Sequence, residues 1–227
     1  MLADFSRARL TSRRDVGSGL SLLTFKVGAE LQASYTRPAQ YVRVQQGADE
    51  GHFVLASDPG SPEWEILVRN AGEVALHLLS APIGTDVLAT RASGPGFPME
   101  KVGGKPLVIA VVASAIGAAR SVIRMRGREN AAAATHLYLG ARDAGDLPLV
   151  DEMNQWRAFG VNEVVCISQT GTREGAAAGY VQKVLAERMR DQKHPSETVV
   201  FTAGPPEMML EIESLGRNFG FSVYTNV

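Results

Sequence analysis

A single cysteine, Cys166, stands among the 227 residues. An internal disulfide framework is therefore excluded, as is an iron–sulfur or zinc centre built from several thiolates of this chain. The four histidines, His52, His77, His136 and His194, are scattered and show no H-E-x-x-H or other metal-ligand spacing. Neither sign of charge is in excess: 23 Lys+Arg face 24 Asp+Glu, a formal net charge of −1. That balance lacks the clustered positive charge that draws a protein to nucleic acid or to an anionic membrane. No run approaches the ~18 uninterrupted apolar residues of a membrane span. The opening MLADFSRARLTSRRD is basic but has no apolar core, unlike a secretory signal. Neither a G-x-S-x-G elbow nor a GxxxxGK[ST] phosphate loop occurs. The chain reads as soluble and intracellular.

What is present is an ordinary share of hydrophobic residues, 45%, arranged in two rhythms. Residues 1–102 hold short runs rich in Val, Leu and aromatics: LSLLTFKV (20–27), QYVRVQ (40–45), HFVLAS (52–57) and WEILVR (63–68). The turn-forming stretches GSG, RPA, GADEG and DPGSP bound them, which predicts a small antiparallel barrel or sandwich. AGEVALHLL (71–79) reads as a short capping helix. From residue 103 onward, near-continuous apolar runs alternate with segments of helical period. PLVIAVV (106–112), THLYLGA (135–141), EVVCIS (163–168) and TVVFTA (198–203) read as strands buried on both faces, and FSVYTNV (221–227) as a last strand. The repeated strand–helix pattern predicts a parallel α/β domain over 103–227, with ligands bound at the carboxyl ends of its strands.

Those strand ends carry the candidate chemistry. VVASAIGAARS runs from a strand into a helix whose N–H groups suit a pyrophosphate, with Ser114 and Arg120 as further donors. The alternative there is a plain helix start with a solvent-facing Arg120. LYLGARD places Arg142 just beyond Gly140, where it can hold an adenosine ribose or its 2′-phosphate, or be only a surface loop residue. FTAGPPEMM ends a strand at Gly204, stiffens the turn with Pro205 and Pro206, and puts Glu207 in the next first turn. In the first half, Tyr41, Phe53 and Ser57 can line a groove for an aromatic ring system, or simply pack in the core. Cys166, in a buried strand, reads as an inert small hydrophobe.

In order, these pieces resemble the ferredoxin–NADP reductase superfamily, and most the plant and bacterial FAD/NAD(P)-binding oxidoreductases of the kiwifruit fruit-protein type. RPAQYVRV, HFVLASDP with WEILVR, GPGFP, ARSVI, LYLGARD, GYVQ and AGPPEMM are collinear with that family's landmarks across about residues 5 to 227. The resemblance implies a flavin-binding barrel over 1–102 and a nucleotide-binding α/β domain over 103–227. It also implies hydride transfer from NADPH or NADH to FAD, with electrons passing on to an unknown protein or small-molecule acceptor. Tyr41 and the strand Phe53, Val54, Leu55, Ala56 and Ser57 would wall the flavin, and Gly72 to Val74 would meet its pyrophosphate. Ser114, Arg120, Gly140, Arg142, Gly204, Pro205, Glu207 and Met208 would hold the pyridine nucleotide. The plant members imply a plastid stroma if a transit peptide has been removed, and cytoplasm otherwise.

Departures from the pattern cluster on the two ligand sites. The superfamily's R-x-Y-S flavin strand is here Gly51, His52, Phe53, Val54, and the Ser or Thr of the G-x-V turn is Ala75. The loop G-x-G-I-x-P-x-R-S is A-S-A-I-G-A-A-R-S, so both glycines are alanines, Ala113 and Ala115. An alanine held at positive φ is strained by about 1 kcal/mol or more. The cysteine that faces the nicotinamide is Ala203. The lone Cys166 also separates the chain from the iron–sulfur-bearing subunits of dihydroorotate dehydrogenases. Three functions stay open: a working flavin-dependent reductase, a reductase-like protein that has lost turnover and serves as a binding or assembly subunit, and an unrelated nucleotide-binding sensor.

Overall fold

The computed structural model describes residues 5–145, 147–169, 175–192 and 194–226. The first half is a six-stranded antiparallel sheet built from β1 (Phe5–Asp15), β2 (Leu20–Val27), β3 (Tyr41–Gln46), β4 (Asp49–Val54), β5 (Glu63–Arg69) and β6 (Asp86–Thr90), in the order β4-β3-β6-β1-β2-β5. A single bridge between Leu55 and Ile66 brings the end of β4 onto β5 and closes the sheet into a barrel. The short helix α1 (Ala29–Ser34) and the capping helix α2 (Glu73–Ser80) complete this half. Leu10, Leu23, Phe25, Val44, Trp64 and Ile66 fill the barrel, and Val74 and Leu78 of α2 plug it.

The second half is a parallel sheet in the order β10-β9-β8-β7-β11-β12, from β7 (Leu107–Val112), β8 (Thr135–Ala141), β9 (Asn162–Ile167), β10 (Ala177–Ala178), β11 (Val199–Ala203) and β12 (Ser222–Thr225). Its helices are α3 (Ile116–Arg128), α4 (Val150–Ala158), α5 (Val181–Arg190) and α6 (Pro206–Phe219). The chain leaves β7 toward β8 on one side and leaves β11 toward β12 on the other, so the topological switch lies between β7 and β11. Turns after those two strands open onto a crevice, the usual place for a ligand in such a sheet. Residue Val227, the end of the expected last strand, lies outside the described residues.

The two-part fold class is as expected, but the barrel holds two strands that the hydrophobic pattern did not announce. In β1 only Ala8 and Leu10 are buried and the arginines face water, so the segment reads as a basic tail. In β6 only Val87, Ala89 and Thr90 are buried, too short a run to stand out. The expected strand 52–57 also shifts: pairing with β3 runs over Asp49–Val54, and Leu55 to Ser57 turn toward β5.

The halves share one apolar core. Val16, Leu20, Leu22, Ala56 and Leu67 of the barrel pack in the same cluster as Ile109, Val111, Ile116, Ala119 and Val122. The connecting segment contributes Phe97, whose ring stacks on Phe201 at 4.6 Å between centroids. Gly96 there needs φ +60 and has no room for a side chain: a Cβ would lie 2.6 Å from the Arg37 Cβ and 2.8 Å from the Pro38 carbonyl oxygen.

Candidate functional site

The crevice at the carboxyl ends of β7, β8 and β9 is a cleft of about 620 Å³. It gathers Gly140, Arg142, Pro205, Glu207 and Met208, five of the residues predicted to hold a nucleotide. The GYVQ landmark adds Gly179, Tyr180, Val181 and Gln182, and the barrel sends Arg69 across from the end of β5. Arg69 was not foreseen, because from one chain a polar residue closing a strand looks like any surface arginine. Arg69, Arg142 and Tyr180 are all exposed, and among the described residues neither arginine forms an ion pair. Two guanidiniums facing one cleft with no carboxylate partner among the described residues suit an anion with more than one phosphate.

The glycines act differently from expectation. A Cβ at Gly140 would stand 2.6 Å from Val112 Cγ1 and 2.7 Å from Val181 Cγ2. At Gly204 it would stand 2.7 Å from the Met208 methyl and 3.0 Å from Val112 Cγ2. At both positions the missing side chain makes room for neighbouring side chains, while Gly140 also lines the cleft. Pro206 then opens α6 at its first helical position, and Pro205 precedes it as the cap. Ser114 is exposed in the turn before α3 and does not line the cleft. The preceding Ala113 does line it, at φ +49. An alanine thus holds a left-handed backbone where the reductase pattern has glycine. Cys166 borders the cleft with its side chain sealed, and burial pushes the thiol up to about 12.

Arg120 is the main correction. It is 2% exposed and turned away from the cleft. Its guanidinium donates to both Glu65 oxygens at 2.6 and 3.1 Å, to Glu152 at 2.6 Å and to the Ala56 carbonyl at 3.0 Å. Burial alone would lower its pKa, but the hydrogen bonds and charges of the two carboxylates outweigh that and raise it. Four of its five N–H donors are engaged within the protein, and it does not line the nucleotide cleft. A larger cavity of about 1110 Å³ lies along the second half of α3, lined by Arg124, Arg128, Trp156 and Phe159 together with Asp58 and Glu152. Its cations are matched by carboxylates: Arg128 pairs with Asp58 at 2.6 Å and Arg14 with Glu152 at 2.8 Å.

On the barrel, Tyr41, Phe53 and Val54 are half-buried and present part of their side chains at the surface. Leu55 and Ala56 are fully enclosed, Leu55 in the barrel core and Ala56 in the shared core, so their side chains wall no groove. Ser57 is buried too, its carbonyl accepting from the Tyr35 hydroxyl and its Oγ from the Glu65 N–H. Val74 likewise belongs to the barrel core. Gly72, at φ +82, is the N-cap of α2 and offers no side chain to that helix end, whose first N–H groups stay open to an anion. A Cβ at Gly51 would lie 2.7 Å from the Phe53 ring, so the superfamily's arginine could not stand there with Phe53 in this position. The half-exposed apolar strand and the open helix end fit a flavin whose phosphates are met by backbone alone.

Residues 114–214 match the family described as the oxidoreductase NAD-binding domain. The gamma subunit of sulfhydrogenase 1 from Pyrococcus furiosus is 27% identical over 199 residues, covering 85% of this chain and 67% of that protein. A cytochrome P450 reductase from Amycolatopsis superposes with a TM-score of 0.80 at 16% identity, over 100% of this chain and 71% of that one. A ferredoxin NADP+ reductase from Neisseria gonorrhoeae, solved with bound FAD and NADP, gives a TM-score of 0.78 at 16% identity, over 99% and 100% of the two chains. The chain shares the two-part fold of these two reductases. A reductase-like barrel and a reductase-like nucleotide domain therefore meet at the cleft that Arg69 and Arg142 flank. Among the described residues no helix is long and apolar enough to cross a membrane.

Proposed function

We propose that this chain is a flavin-dependent NAD(P)H oxidoreductase, passing a hydride from NADPH or NADH to FAD and electrons onward to a partner protein or small molecule. The observation that carries the reading is the convergence of Arg69 from the barrel with Arg142 and the start of α6 on one cleft at the switch point of the sheet. FAD, when bound, supplies the step between two-electron and one-electron chemistry. Arg142 and Arg69 hold the phosphates and ribose of the pyridine nucleotide, and Met208 with Val112 forms the apolar floor beside Gly204. Tyr41, Phe53 and Val54 pack against the flavin ring, while the N–H groups from Gly72 to Val74 take its pyrophosphate. The bound FAD and NADP of the Neisseria reductase support the cofactor assignment. The sulfhydrogenase subunit supports a place in a larger complex.

The test is to purify the chain, release and identify its flavin, and mix the holoprotein anaerobically with NADPH and with NADH. Bleaching of the flavin absorbance by either nucleotide is expected. A stoichiometric holoprotein that neither nucleotide reduces overturns the reading. Ala113, strained at φ +49 on the cleft wall, favours a second reading, a reductase-like assembly subunit that has lost turnover. A colourless chain that takes up no added FAD yet retains a partner through purification selects it.

A further inference from the structure

Helix α3 lies against the barrel along one stripe. Gly117, Arg120, Ser121, Arg124 and Arg128 recur at helical spacing, and each meets a barrel residue. A Cβ on Gly117 would stand 3.3 Å from the Ala56 Cβ and 3.4 Å from Leu67, so the helix backbone itself rests on the barrel. Ser121 Oγ is 3.4 Å from the Tyr35 hydroxyl, which in turn donates to the Ser57 carbonyl. Arg124 donates to Glu65 at 3.2 Å and Arg128 to Asp58 at 2.6 Å. In the middle sits Arg120, forked onto Glu65 of β5, bonded to the Ala56 carbonyl, and tied through Glu152 of α4 to Arg14 of β1.

This stripe joins the two parts that the proposed reaction must bring together. The N-terminal end of α3 continues directly from Val112–Ala115, the loop at the nucleotide cleft. The carbonyl that Arg120 grips belongs to Ala56, in the segment just after Phe53 and Val54. A buried, planar, bidentate guanidinium fixes orientation as well as distance, which a lysine ammonium cannot. Buried ion pairs are costly to form and are best kept where they specify one arrangement among several.

We propose that Arg120 is a positioning residue: through Glu65, Glu152 and the Ala56 carbonyl it sets the register between the nucleotide loop Val112–Ala115 and the flavin-facing strand. It holds the two reactants in line without touching either. The inference rests on the proposed function, since only a transfer between the two sites needs that register. Misplacement by about 1 Å can cost about 100-fold in such a transfer.

Two variants test it, Arg120→Lys, which keeps the charge and loses the fork, and Glu65→Gln, which spares Arg120 and its bond to Glu152. Each is compared with the unsubstituted protein in two readouts. The first is flavin reduction under single-turnover conditions, with the nucleotide dissociation constant measured separately. The second needs no cofactor: spin labels at Lys26→Cys on the barrel and Leu210→Cys on α6, both exposed, report the distance distribution between the halves. The expected result is a ten- to hundredfold slower reduction with the dissociation constant changed less than threefold, and a broadened distance distribution in both variants. An unchanged rate overturns the proposal even if the distribution broadens, because the contact is then only structural. A slowed rate with an unchanged distribution overturns it too, because the effect then does not act through placement. If the unsubstituted holoprotein is not reduced by either nucleotide, the proposed function fails, whatever the labels report.

Discussion

Arg120, near the start of α3, and Arg142, just beyond the end of the next strand β8, do opposite work. Arg142 stands at an open strand end, exposed, with no ion pair among the described residues. Arg120 is sealed between two carboxylates and a carbonyl, with every bond directed inward. The first is free to meet a ligand because no described residue pairs with its guanidinium. The second is claimed entirely, and its contribution is to geometry. A guanidinium near a binding loop is a ligand contact only when its own chain has left it unpaired.

The contrast can be broken most sharply at Arg120. Arg120→Met removes the buried cation between Glu65 and Glu152, leaving them Arg124 and Arg14, and a loss of about 1.5–3 kcal/mol in unfolding free energy is expected from a urea titration. Arg142→Ala should leave that titration within about 0.5 kcal/mol of the original. It should instead weaken pyridine-nucleotide binding about 10- to 100-fold, measured by calorimetry, as befits a lost charge-assisted contact. Equal stability losses in the two variants would erase the distinction.

Acid should loosen the clamp around Arg120. Burial alone would raise the Glu152 pKa, but Arg120 and Arg14 outweigh it and hold the carboxyl below the usual glutamate range. A group depressed in the folded state stabilises above its unfolded pKa, and that stability drains away as pH falls through the folded value. Melting temperature should therefore fall on acidification below about pH 5, and Glu152→Gln should flatten that part of the profile. A slope unchanged by the substitution would remove Glu152 from the account.

Ala113→Gly sharpens the other side. Relief of the left-handed alanine is worth about 1 kcal/mol, a rise of about 2–4 °C in melting temperature for a chain of this size. If the loop still receives a phosphate, nucleotide affinity rises with it. Stability rising alone would mean that no phosphate approaches. The smallest effect expected is at Cys166: with its thiol pushed up to about 12 by burial, the folded protein should resist alkylation at pH 8 over hours.

The parallel half was legible because strands buried on both faces announce themselves as continuous apolar runs, and PLVIAVV and TVVFTA carry that signature undiluted. The barrel was harder. β1 exposes its arginines and buries little more than Ala8 and Leu10, so periodicity has almost nothing to register. At the site, Arg142 and the Gly-Pro-Pro turn were readable from their place after a strand. Arg120 was not, because its partners Glu65 and Glu152 lie 55 and 32 residues away in sequence. No local pattern reports a contact of that range. The loop alanine was read correctly as a potential source of strain, since the argument there concerns backbone geometry alone, and Ala113 does sit at positive φ while Ala115 does not.

One consequence follows from the core that barrel and sheet hold in common. Val16, Leu20, Leu22 and Leu67 are buried in one cluster with Ile116, Ala119 and Val122. Expressed as two pieces cut between the halves, each fragment would show water a continuous apolar face and would tend to aggregate. Grafting this nucleotide-binding half onto another protein's flavin barrel would fail for the same reason, unless the α3 stripe and its seat were carried over together. The architecture looks like two modules in series, but as a material for engineering it is a single casting.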